Sequence, residues 1–434
     1  MHDVMRLACL LALACGLLCD AANAADAGVC SDLRRRDHTV IVDHAAGHYD
    51  GERAMDEASI RALIKRHSAQ TRKPFFGLIP RVTAEELEQP GFEAYKARRR
   101  PFILTGAMGG WQALARWPID RDAPPLGSYL AQKFPAEVSD YYPHNMDRPG
   151  QHPYLARFNF GLSHLLNPEH ENRFGYPLEN QPGRYLHLQL TPRRWRELER
   201  AGDLPTAKSG HKHLTAAQDN WWMRRCLRTD AHPGDTLAEE YHLKTHWKII
   251  LIGSEGAGMF NHSDSLQTSS WHAHVQGKKW WYVCGRNEGP GPRANERVCM
   301  EAVVYPGESL YYGRHWHHHT QNLETPTMTV TGTVVHAGVF DSVARQLHGE
   351  CTGRASDFMF SAALCDALQS CYPLWYKRWR PRQATDANMA RLFPPWRSVA
   401  KADRIKEKEA RRPEENNYDG RNYISGFEQD FELD

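Results

Sequence analysis

The sequence predicts a mainly β fold, a double-sheet jelly roll or barrel, with helices before and after it. Three observations carry that expectation. From Trp247 onward, short runs rich in β-branched and aromatic residues recur at Trp247–Gly253, Ser269–Val275, Lys279–Cys284, Glu308–Tyr312 and Thr327–Val335. Gly-, Pro- and Asn-rich turns separate these runs, and regularly spaced short strands between such turns are the mark of an all-β sandwich or barrel. Helical texture flanks the β-rich stretch, at Glu57–Ala69 and Leu126–Phe134 before it and again after Gly338.

The elements follow in order. Arg6 gives a positive start, Leu7 to Cys19 is apolar, and Ala22-Asn-Ala24 has the small-x-small form of a cleavage site, so residues 1–24 read as a secretory signal peptide. The apolar run falls short of the roughly 20 residues a bilayer span needs, with an uncleaved anchor as the alternative to a cleaved signal, and no other run is long enough. Residues 25–95 form an N-terminal leader with helices. Within them, Ile79 to Thr83 reads as a short strand leading into a helix that Thr83 caps, with Glu86 as capping-box partner. Residues 96–340 make up the β domain, which opens on the buried strand Pro101-Phe-Ile-Leu-Thr-Gly-Ala107. Residues 341–434 form a helical extension whose Lys401–Glu415 charge run is solvated.

With 434 residues the chain can bury a substantial core. Its 54 Lys and Arg nearly balance 52 Asp and Glu, so the charge of +2 gives no electrostatic case for a nucleic-acid partner. Ten cysteines are present, and Cys9, Cys15 and Cys19 leave with the signal. An odd set remains in an oxidising compartment. Disulfides are expected within the pair Cys284 and Cys299 and within the group Cys351, Cys365 and Cys371, with one thiol left over. Export, with no membrane contact beyond the signal, is the expected location.

The chemistry sits in Phe260-Asn-His-Ser-Asp264, Gly277-Lys-Lys279 and Trp316-His-His-His-Thr320. Residues two apart on a strand face the same way, so His262 and Asp264 can reach one metal together, with a histidine from a distant strand as the third ligand. Two imidazoles and one carboxylate suit iron(II) and leave one face of its octahedron open. A lone His-x-Asp would be a surface turn. Its conjunction with Lys279 and the histidine run is what points to a metal.

Those stretches, with Ser265 to Trp271, Val275-Gln-Gly-Lys-Lys-Trp280, Tyr305-Pro-Gly-Glu-Ser-Leu-Tyr-Tyr312 and the run on to Asn322-Leu323, resemble the Jumonji-C (JmjC) family. Arg100 to Ala107 followed by Trp111 resembles the start of such domains, and the likeness covers about Pro80 to Val335. It implies a cupin-type double-stranded β-helix and an iron(II)- and 2-oxoglutarate-dependent oxygenase. By position it implies His262 and Asp264 as the first two metal ligands. It places the third at His318, four residues before Asn322, with His317 outward and His319 as the fallback. Lys279 takes the lysine that pairs with 2-oxoglutarate, while Lys278 points to solvent. Thr331, or else Thr329, supplies a hydroxyl to the cosubstrate. His272 stands where relatives line the pocket and is either a cosubstrate ligand or a packed core histidine. Trp271 and Trp280 wall the pocket or fill the core. The implied function is hydroxylation of a protein or peptide in the secretory pathway. An inactive interaction module and a demethylase are the alternatives.

Overall fold

The computed structural model describes residues 78–87, 89–90, 100–120, 123–143, 153–167, 183–205, 227, 236–286, 297–335, 339–355, 358–379, 381–392, 403 and 406. The expected signal peptide and leader, the Glu57–Ala69 helix, Cys30 and Cys226 lie outside them, as does all of the charge run except Asp403 and Lys406.

Among the described residues the strands are β1 (Arg81–Val82), β2 (Phe102–Leu104), β3 (Val138–Tyr142), β4 (Tyr154–Arg157), β5 (Tyr185–Gln189), β6 (Lys248–Gly253), β7 (Gly258–His262), β8 (Ser269–Gln276), β9 (Lys279–Arg286), β10 (Arg297–Val304), β11 (Ser309–Tyr312), β12 (His317–Asn322) and β13 (Thr327–Val334). They form a nine-stranded sheet in the order β1-β2-β11-β8-β13-β6-β5-β3-β4 and a four-stranded sheet in the order β10-β9-β12-β7. Only β1 and β2 run parallel; every other neighbouring pair is antiparallel. The fold is therefore mainly β with helices, as the sequence predicts. From β6 to β13 the chain passes back and forth between the sheets, so residues near 262, 279 and 318 all fall on the smaller sheet.

Burial explains why the runs are so apolar. Every residue of β6 is buried, since the larger sheet is covered on both faces. On its outer side Leu186, Leu188, Ile250 and Ile252 join Trp271 and Val330 in a core closed by helices Phe158–Leu166 and Pro192–Arg200. Each such fully buried aliphatic side chain contributes about 1.5–3 kcal/mol. Between the sheets, Ile103, Trp281, Val283 and Leu310 pack together. A third core holds Val343, Leu347, Leu364 and Leu368 of helices Phe340–Cys351 and Ala362–Trp379 against Tyr241.

Thr83 N donates to Glu86 Oε2 at 2.7 Å and Glu86 N to Thr83 Oγ1 at 3.2 Å, so the capping box closes. The helix expected over Leu126–Phe134 is shorter. Pro125–Gly127 form a 3-10 turn and the α-helix runs Tyr129–Lys133, because Ser128 caps it by accepting from Ala131 N. Cys284 pairs with Cys299 and Cys351 with Cys365, and Cys371 is disulfide-bonded as well. No helix among the described residues is long and apolar enough to cross a membrane.

Candidate metal centre

The site begins where β7 and β12 pair. His262 and His318 are register partners, which brings their rings to 4.1 Å between centroids. That pairing needs the close approach of Gly258 to β12, since a Cβ there would collide with the Thr320 carbonyl. Asp264 follows β7 in extended conformation, at the start of the turn Ser265–Gln267. His262, Asp264 and His318 then offer ligand atoms that all lie within 4.8 Å of one another. Asp264 Oδ1 is 3.7 Å from His318 Nε2.

Each ligand is aimed by a neighbour. His262 Nδ1 sits 2.8 Å from the Phe260 carbonyl and His318 Nδ1 3.2 Å from the Trp316 carbonyl. A carbonyl can only accept, so both Nδ1 atoms carry the proton and both Nε2 atoms present a lone pair to the shared space. Burial holds both imidazoles below their ordinary pKa, against the pull of Asp264 on His262, and so keeps them in the neutral form a metal requires. The Ser270 hydroxyl donates to Asp264 Oδ2, and Oδ1 is turned toward His318 Nε2. Tyr312 OH stands 3.3 Å from His318 Nε2 and 2.9 Å from His272 Nε2. Liganding oxygens and nitrogens at about 2.0–2.2 Å from a metal are closer together than these atoms, so a bound ion would draw the three inward by a small side-chain adjustment.

Strand alternation decides among the three adjacent histidines. His317 is exposed, His318 is buried facing the cavity, and His319 turns to the opposite side against Trp280. The same rule separates the two lysines. Gly277, at φ +70, turns the chain between β8 and β9. Lys278 then pairs with Glu324 at 2.5 Å on the outside, while Lys279 points in and is 1% exposed. Lys279 Nζ donates to Tyr185 OH at 2.5 Å and lies over the Tyr185 and Trp281 rings. Burial pushes its pKa down to about 7, and no carboxylate offsets that shift.

His272 and Thr331 complete the inner wall. Thr331 Oγ1 donates to the Trp271 carbonyl at 2.9 Å and lies 3.3 Å from His272 Nε2. Both line a cavity of about 150 Å³ that also holds the triad and Lys279, whereas Thr329 is buried outside its lining. Trp271 and Trp280 fill the cores on the far sides of their sheets. The tryptophan in the cavity is Trp281, which the period of two from Lys279 would have singled out. Sequence reasoning also missed Ser270, which holds Asp264, Tyr312, whose ring packs on His318, and Tyr142, Tyr185 and His187, which form a further wall. For β5 the available signal was the alternation of Leu186 and Leu188 with polar residues.

No protein-family model matches this chain, and no curated protein matches it in sequence.

Proposed function

We propose that the chain is an iron(II)- and 2-oxoglutarate-dependent oxygenase of the JmjC type, a protein hydroxylase of the secretory pathway, built on a cupin-type double-stranded β-helix. The resemblance of the metal and lysine motifs supports the family. The strand orders β6-β13-β8-β11 and β7-β12-β9-β10 support the jelly roll, since they interleave two four-stranded layers from one continuous run of chain. The observation that carries the reading is Lys279. A buried cation without a counter-charge is costly and is retained where an anion is to be bound. Here it shares a cavity with two neutral imidazoles and a carboxylate, the donor set that suits iron(II).

Iron(II) with 2-oxoglutarate, when bound, supplies oxidation of a C–H bond coupled to oxidative decarboxylation of the 2-oxo acid. The chain's own residues do the rest. His262, Asp264 and His318 would hold the metal on one face, with Ser270 and the two backbone carbonyls fixing their orientation. Lys279 and Thr331 would orient the cosubstrate. Trp281 and the buried face of β8 exclude water from the cavity floor.

Lys279 makes the test specific. Its protonated form binds an anion, and in the free protein that form is half lost near pH 7. Calorimetric titration of 2-oxoglutarate into the Mn(II)-loaded full chain is expected to show affinity falling as pH rises from 7 to 9, by up to about tenfold per unit. Absence of binding at pH 6.5 overturns the reading.

Export rests on Arg6, the Leu7–Cys19 run and Ala22-Asn-Ala24, with disulfides Cys284–Cys299 and Cys351–Cys365 in support. The mature protein is expected to begin at Ala25. Mass spectrometry of material from its native cells that finds Met1 intact in the cytosol would remove the secretory address.

A further inference from the structure

Beyond the triad and Lys279, the cavity has a wall that the proposed oxygenase chemistry does not use. β5 and β3 widen the larger sheet past β6, with Leu251 opposite His187 and His187 opposite Asp140. One row of side chains therefore crosses three strands on the cavity side. Tyr142 and Tyr185 form the neighbouring row, and their rings lie 5.1 Å and 4.6 Å from that of His187. His187 is 3% exposed, and its Nε2 has no hydrogen-bond partner in the protein. Buried ring nitrogens are almost always paired, so one left open on a cavity wall marks a place for an incoming group.

The charges around it limit what that group can be. Asp140 is buried, accepts from Gln189 Nε2 at 2.9 Å, and is absent from the cavity lining. Burial pushes its carboxyl up, an effect that the neighbouring His246, which lines the cavity, only partly offsets. Asp140, the carboxylate of this row, is thus tied to Gln189 and disfavoured as an anion, so it gives a cationic group little to pair with. An anionic group fares no better at His187, because burial and the neighbouring His246, Lys279 and His262 keep that imidazole neutral. A neutral imidazole offers one donor and one acceptor. His246 itself has a left-handed backbone, at φ 52, a strained conformation of the kind held at binding sites.

We propose that His187, backed by Asp140 and flanked by Tyr142 and His246, forms a second subsite of the cavity that takes an uncharged donor–acceptor group of the substrate, of the carboxamide type. The subsite rests on the oxygenase reading for its meaning as a substrate site, but its occupancy can be measured separately. The full chain, labelled with nitrogen-15 histidine and loaded with Zn(II) and 2-oxoglutarate, is titrated with propionamide, propionate or propylammonium, three probes of nearly equal size. The His187 resonance is assigned by its loss in H187Q or, should that variant not fold, in H187N. Propionamide is expected to shift His187 Nε2 saturably, and each ion to shift it at least tenfold less at equal concentration. No response to the amide, or an equal response to either ion, overturns the subsite. Ring resonances of His262 and His318 that do not respond to Zn(II) would count against the metal reading alone, whatever His187 does.

Discussion

Replacing His318 by alanine is expected to lower metal affinity by well over 100-fold, while His317→Ala and His319→Ala leave it within a few-fold of the parent chain. The scale follows from what supporting groups do: losing a residue that merely orients a ligand costs roughly 10–100-fold in metal affinity, and His318 is itself a donor. Its Nε2 lies 3.7 Å from Asp264 Oδ1, and its Nδ1 proton is taken up by the Trp316 carbonyl. His317 is exposed, and His319 packs on Trp280 away from the cavity. Quenching of tryptophan fluorescence by Mn(II) can report binding, since the Trp281 and His318 rings are 5.7 Å apart. Equal losses in all three variants would show that β12 as a whole, rather than one side chain, had been disturbed. A large loss confined to His319→Ala would mean that the strand sits one residue out of register.

Why the sequence reveals some of this site and conceals the rest is a matter of distance along the chain. His262 and Asp264 are legible because two residues of one extended segment share a face. Lys279 is legible through the Gly-x-Lys form of the family the chain resembles, and the left-handed φ of Gly277, with no room for a Cβ against Pro326, is why a glycine stands there. His318 needs the offset from Asn322, since three adjacent histidines look alike until a partner strand fixes the face. The outer wall was not legible. Val138–Tyr142 and Tyr185–Gln189 carry Asp140, Tyr142, His187 and Gln189 on the cavity side; the alternation of Leu186 and Leu188 with polar residues marks the second as a strand, but at five residues each they stand too far from the other β-rich runs to be joined to them by sequence alone. The pairing of β5 with β6, 60 or more residues further along, and of β3 with β5 has no local signature. The two tryptophans first singled out belong to the cores: Trp271 packs on the outer side of β8, and Trp280 alternates with Trp281, which alone shares a side with Lys279.

Lys279→Met is expected to weaken 2-oxoglutarate binding and, at the same time, to make the protein more stable. Methionine keeps most of the aliphatic length and loses the charge. On the binding side, a carboxylate brought into the cavity would be left without its cation, a loss of about 3 kcal/mol, or roughly 100-fold in affinity. Metal affinity should hold, because Lys279 contacts Tyr185 and none of the three ligands. Lys278→Ala is the control, since that side chain pairs with Glu324 outside the cavity. On the stability side the sign follows from linkage. The folded pKa, about 7, lies below the unfolded value, so the charge penalty is complete below pH 7 and fades as pH rises toward 10.5. The methionine variant should therefore melt above the parent chain at pH 6.5, and the gap should narrow steadily at pH 8 and pH 9. Thermal melts at those three values, without cosubstrate, decide it: a gap that widens with pH would mean that Lys279 is held charged by a partner. Saturating 2-oxoglutarate should reverse the order at pH 6.5 by stabilising the parent chain alone. A residue that lowers stability in the empty protein and raises it in the loaded one is placed for its ligand.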